Sequence, residues 1–119
     1  MAAQIRERAE RFKHPVVACL GLTYKPDVDD LRESPAMAIV LQLAHSGSER
    51  ILVADPNLRS LPPELADLPN IMLCDTFEAV RQADIVAVLV AHSPFRRIPP
   101  EDLLRRVVID ATGLTHGSA

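Results

Sequence analysis

"VVACLGLTYKPDVDDLRESPAMAIV", residues 16–40, joins an uninterrupted apolar run to a charged loop and then to an apolar-faced helix. The run 16–20 has no polar alternation and is closed by Gly21, the pattern of a strand covered on both faces. Ser34 and Pro35 read as a helix start: a serine oxygen caps free amides, and proline has no N–H to leave unpaired at the first helical position. From there Ala36, Val40 and Leu43 lie beside Met37, Leu41 and Ala44 in two adjacent rows, with Gln42 and His45 off them. One broad face is therefore expected to be buried, and "SGS" at 46–48 ends the helix.

The same strand-then-helix alternation continues. "ILVAD" at 51–55 reads as a second strand, and the connection 56–70 holds four prolines, which forbid a long helix but permit a turn around 63–66. "IMLC" at 71–74 is a short third strand. Asp75 or Thr76 should cap a helix running to about Ala83, with Phe77 and Val80 inward. The longest apolar run, 84–91, is the expected central strand. A loop at 92–98 follows, then a helix in "PPEDLLRR" whose acids and arginines match the helix dipole, and a last strand at 107–110. The ending "ATGLTHGSA" should fray.

Helical crossovers between such strands must pack on sheet faces, so the fold class is α/β: a three-layer, doubly wound, Rossmann-like parallel sheet of about five strands in the order 3-2-1-4-5. In that order the winding reverses between the first and fourth strands, and ligands sit beyond the carboxyl ends there. The loops at 21–34 and 91–99 then face one crevice.

Composition removes several function classes. Thirteen Lys and Arg against sixteen Asp and Glu give a net charge of −3, without the basic footprint of a protein that binds nucleic acid or an anionic membrane. No apolar run approaches the ~20 residues that span a bilayer, and the charged helical start resembles no signal peptide, which points to a cytoplasmic protein. The 48% hydrophobic content includes no Trp, so the core must be aliphatic. Cys19 and Cys74 sit in apolar segments and read as buried free thiols. His14, His45 and His116 lack partners at metal spacing and default to the surface.

Lys25 and Arg32 beside Gly21 suit an anionic ligand such as a phosphate, Lys as a point charge and Arg as a planar fork. Equally, Asp27, Asp29, Asp30 and Glu33 could simply neutralise the two bases on a solvated loop; for Asp29 and Asp30 a turn or helix-end role is preferred. Neither G-x-G-x-x-G nor G-x-x-x-x-G-K-[ST] occurs, so the domain is no familiar autonomous dinucleotide or ATP binder. His92 and Ser93 fall at the crevice by topology. A loop histidine is more often a hydrogen-bonded structural group than a ligand contact.

The spelling of "GLTYKPDVDDLRESPAMAIV", continued in "VADPN", "ADIVAVLVAHSPF" and "VVIDATG", resembles the C-terminal, UDP-binding domain of the UDP-glucose/GDP-mannose dehydrogenase family over roughly residues 15–114. "AHSPF" and the short ending look most like the UDP-N-acetyl-D-mannosamine dehydrogenase branch, which oxidises a sugar C6 alcohol twice with NAD. The resemblance implies that Tyr24 and Lys25 contact the UDP-sugar and Arg32 reaches the NAD, with His92 and Thr112 as further substrate-binding candidates. Thr112 departs from the pattern: related enzymes commonly carry a basic residue two positions after the aspartate matching Asp110. A hydroxyl can hydrogen-bond there but cannot neutralise phosphate.

The same resemblance implies that the catalytic cysteine, the NAD-binding domain and the central helices precede this part of the enzyme. No catalytic residue is then expected in this chain, and the complete enzyme would be a homodimer. Residues 1–14 would be the tail of the connecting helix, 15–114 the UDP-sugar-binding domain and 115–119 a disordered tail. A free-standing binding or regulatory module of the same fold is the alternative. A receiver-like signalling domain would rest on Asp55 alone.

Overall fold

The computed structural model describes residues 2–12, 14–23, 35–46 and 50–110. Five strands, β1 (Val16–Leu20), β2 (Arg50–Ala54), β3 (Ile71–Leu73), β4 (Ile85–Val88) and β5 (Val107–Asp110), form one sheet. All neighbours pair in parallel and the order is β3-β2-β1-β4-β5, as the alternation of apolar runs and helix starts requires.

Alternation along the strands divides the core in two. Val17 and Cys19 of β1, Ile51 and Val53 of β2, and Ile85 and Ala87 of β4 pack on one face. They meet Met37, Val40 and Leu43 of α2 (Pro35–Ser46), Leu65 of α3 (Pro63–Ala66), and Ile5 of α1 (Ala2–Ala9). Ala18, Leu20, Leu52, Ala54, Val86 and Val88 face the other way, onto Ala79 and Val80 of α4 (Thr76–Gln82) and onto Phe95 and Ile98. Leu103 of α5 (Pro100–Leu104) flanks that second cluster. Both faces of the central strands are therefore dry, which is why they read as continuous apolar runs. Both expected rows of α2 pack inward, whereas Gln42 and His45 are exposed.

Several boundaries differ from the expectation. The run 84–91 pairs only over Ile85–Val88, because the N–H groups of Leu89 and Val90 both turn to the Leu20 carbonyl, at 2.9 and 3.3 Å, and the chain then leaves the sheet. Asp55 and Cys74 lie just past their strands rather than in them. The expected loop 92–98 contains a 3-10 turn, Ser93–Arg97, and the following helix is shorter than 99–106. Asp75, not Thr76, caps α4, accepting from Phe77 N–H at 3.1 Å and Glu78 N–H at 3.4 Å. Near the amino end the chain is helical over α1, and Ala2, Ile5 and Ala9 bury that helix against the domain. The helix cap at Ser34 and the fraying end 111–119 lie outside the described residues.

Candidate functional site

Strand register aligns the carboxyl ends. Leu20 of β1 pairs with Ala54 of β2 and with Val88 of β4, and Val88 pairs with Asp110 of β5. The residues that follow Leu20, Ala54 and Val88 therefore leave the sheet at one edge, on either side of the reversal between β1 and β4.

The first step beyond β1 is Gly21, whose N–H still donates to the Ala54 carbonyl at 2.8 Å. Its φ is +94°, and a Cβ there would lie 2.7 Å from both the Val90 Cβ and the Val90 carbonyl oxygen. Only glycine fits this crossing of the β1 and β4 exits.

Beyond Gly21 the chain is held by a carboxylate from the exit of β2. Asp55 Oδ2 accepts from the N–H of Leu22 at 2.8 Å, the N–H of Thr23 at 3.0 Å and the Thr23 hydroxyl at 3.2 Å. His92, from the β4 exit, brings Nε2 to 2.8 Å from Thr23 Oγ1 and 3.2 Å from Asp55 Oδ2. Asp55 Oδ1 accepts from the Asn57 N–H at 2.8 Å. A carboxylate only accepts, so the Thr23 hydroxyl donates to it and takes its own bond from His92 Nε2–H. For a neutral ring this assigns the proton to Nε2 and leaves Nδ1 facing the Asn57 amide nitrogen at 3.5 Å. The ring edge of His92 meets Phe95, with centroids 5.6 Å apart.

Thr23, Asp55 and His92 are the buried polar residues among those described, at 0%, 6% and 0% exposure. Burial alone would raise the Asp55 carboxyl, but hydrogen bonds from His92 and from the backbone N–H groups of Leu22, Thr23 and Asn57 outweigh it and hold the group down at about 2. Beside the cluster, a cavity of about 450 Å³ opens between Asp55, Leu58, Cys74, Phe77 and Pro94.

Neither thiol is poised for chemistry. Burial pushes Cys19 up to about 12, and burial together with the negative charges of Glu78 and Asp75 raises Cys74. Both cysteines are free. No group of three or more His, Cys, Asp or Glu among the described residues could hold a metal ion, and no described helix is long and apolar enough to cross a membrane. His14 and His45 are exposed.

Of the five residues singled out from the sequence, only His92 falls among those described; Tyr24, Lys25, Arg32 and Thr112 lie outside them. His92 is at the expected edge but fully buried and hydrogen-bonded. Sequence reasoning passed over Thr23, and it considered Asp55 only as the end of the second strand and as the basis of a receiver-like signalling domain. The available signal was an acid directly ending an apolar strand, where a carboxylate beside a dry core needs several donors.

Residues 18–116 match the family described as the UDP-glucose/GDP-mannose dehydrogenase family, UDP binding domain. The chain is 43% identical over 101 residues to the UDP-N-acetyl-D-mannosamine dehydrogenase of Campylobacter jejuni, a match covering 85% of this chain and 25% of that protein. It is 41% identical over 111 residues to the NDP-N-acetyl-D-galactosaminuronic acid dehydrogenase of Ralstonia solanacearum, covering 93% and 26% respectively. The solved UDP-N-acetyl-mannosamine dehydrogenase of Staphylococcus aureus matches with a TM-score of 0.73 and 27% identity, over 95% of this chain and 26% of that one. The chain thus spans about a quarter of the length of these relatives.

Proposed function

The chain belongs to the UDP-glucose/GDP-mannose dehydrogenase family as its UDP-binding domain, and from that premise we propose that it forms the nucleotide-sugar-binding part of a longer NAD-dependent UDP-N-acetyl-D-mannosamine 6-dehydrogenase. The complete enzyme oxidises the C6 alcohol of the sugar to the carboxylate in two two-electron steps, reducing two NAD, and supplies a precursor for surface polysaccharide. It acts in the cytoplasm as a homodimer, with NAD-binding and central domains outside this chain.

The observation that carries this reading is the exit of β1. The segment Gly21–Thr23 is clamped at the β1–β4 reversal, and the next two residues in the chain are Tyr24 and Lys25. In the proposed site Tyr24 and Lys25 both contact the UDP-sugar, the Lys25 ammonium meeting a phosphate or sugar oxygen. Thr112, two residues past the end of β5, offers a hydroxyl. Arg32 reaches the cofactor from the same loop. His92, being fully buried, is assigned to holding the loop in place of a direct substrate contact.

The described residues do not fit NAD as a ligand of this domain itself. The β1 turn has one glycine where a dinucleotide cradle needs several, and the acid after β2 is engaged by Leu22, Thr23, Asn57 and His92 rather than open to a ribose. The cofactor is accordingly held mainly by the preceding domain, and this chain contributes binding and orientation.

Assaying the complete enzyme with NAD against a panel of UDP-sugars, including the N-acetylmannosamine and N-acetylgalactosamine forms, tests the proposal. NADH formation strongest with UDP-N-acetylmannosamine, and none from the present chain alone, is the expected result. Turnover by this chain alone would overturn the division of labour. Preference for the galactosamine form would reassign the sugar.

A further inference from the structure

We infer that Asp55, Thr23 and His92 form a positioning device for the UDP-sugar site: the buried carboxylate fixes the path of the chain into Tyr24 and Lys25, so substrate affinity depends on groups that never touch the ligand. The inference rests on the proposed function above.

The direction of the hydrogen bonds supports it. A parallel sheet holds backbone only as far as its ladder runs, and the last paired residue of β1 is Leu20. Leu22 and Thr23 lie beyond it, yet both donate their N–H groups to Asp55 Oδ2, at 2.8 and 3.0 Å. The carboxylate comes from the β2 exit and the imidazole that completes the cluster comes from the β4 exit, so one buried network ties three strand ends together. The sequence separations are 32 to 33 residues for Asp55 and 69 for Thr23 to His92, so no local turn could produce the arrangement.

The chemistry of the side chains is specific. Asn at 55 would present one oxygen and one NH₂ where all the neighbouring groups donate, setting donor against donor. Val at 23 keeps the shape of threonine but removes the hydroxyl that bridges Asp55 and His92. Ser at 23 keeps the hydroxyl. A network that only stabilised the fold would show its loss in melting temperature and leave the affinity of folded protein unchanged. A positioning network must instead couple to the residue it positions, and a double-mutant cycle reads that coupling.

The test titrates UDP into the complete enzyme by calorimetry, with the parent protein, Thr23→Val, Thr23→Ser, Lys25→Met and the Thr23→Val/Lys25→Met pair, each checked by thermal melting. Thr23→Val should weaken UDP binding by about three- to thirtyfold, within the range of coupling between contacting groups. Thr23→Ser should stay within about twofold of the parent, because its hydroxyl still bridges. In the Lys25→Met background the Thr23→Val effect should fall to within about twofold, since the positioned group is gone. KM for the UDP-sugar should rise in Thr23→Val while KM for NAD holds.

An unchanged affinity in folded Thr23→Val, or a loss that persists in full without Lys25, would overturn the inference while leaving the proposed function standing. Failure of the parent to bind UDP, or a folded Lys25→Met that binds like the parent, would overturn both, and is told apart because it appears before position 23 is altered.

Discussion

Strand β1 is held at both ends by aspartates from other elements, and the two differ in what they hold. At its amino end Asp84, just before β4, accepts from the Val16 N–H at 3.0 Å. That backbone is already in the sheet: the Asp84 N–H donates to the Val16 carbonyl at 2.8 Å, and the Val107 N–H donates to Asp84. At the carboxyl end Asp55 takes two N–H groups from residues past the ladder, adds a hydroxyl and an imidazole, and is buried. One aspartate reinforces regular structure, whereas the other creates structure where the sheet has none to give. In a doubly wound sheet the carboxyl end is where ligands bind, so the elaborate clamp stands where a loop must keep a fixed course.

The contrast yields a graded set of expectations, best read by chemical denaturation. Gly21→Ala should cost the most, on the order of 4 kcal/mol, since it adds a forbidden φ to a Cβ clash with Val90. A loss under about 1 kcal/mol would mean that the crossing of the β1 and β4 exits is softer than its geometry. Asp55→Ala should follow at about 3 kcal/mol, because several buried donors lose their acceptor together.

Acid should reproduce part of that effect without mutation. The Asp55 carboxyl is held at about 2 against an ordinary 3.8. A folded-state value below the unfolded one gives stability that is present above about pH 3.8 and is lost as pH falls through about 2. The amount is about 2 kcal/mol, and the difference in stability between the parent and Asp55→Ala should shrink across that window. A difference that stays constant down to pH 2 would place the clamp's strength elsewhere. Asp84→Ala should cost least, about 1 kcal/mol, as the loss of one partly buried bond beside an intact ladder. Equal losses at 84 and 55 would erase the distinction between the two ends.

The ladder was legible in the sequence and the clamp was not. Apolar runs such as 16–20 and 51–54, punctuated by Gly21 and by the helix start at Pro35, carry strand order because burial on both faces demands them. The same runs conceal where pairing stops: 89–91 are as apolar as 85–88, yet they turn away to meet Gly21 and Leu20. Asp55 and His92 are 37 positions apart and meet only once β2 and β4 flank β1, so no local pattern pairs them. Recognition of the 21–36 loop came from its spelling; charge alone left a phosphate contact and a solvated surface equally open.

The central claim is that the chain leaving β1 presents Lys25 to a UDP-sugar. Its most direct test is calorimetric titration of UDP into the complete enzyme and into its Lys25→Met variant, with melting temperature as the control for folding. A charge-assisted contact worth roughly 1.5 to 3 kcal/mol predicts a ten- to hundredfold weaker Kd at an unchanged melting temperature. Equal affinity in the two proteins would contradict the account and leave Lys25 as one solvated charge among the acids around it.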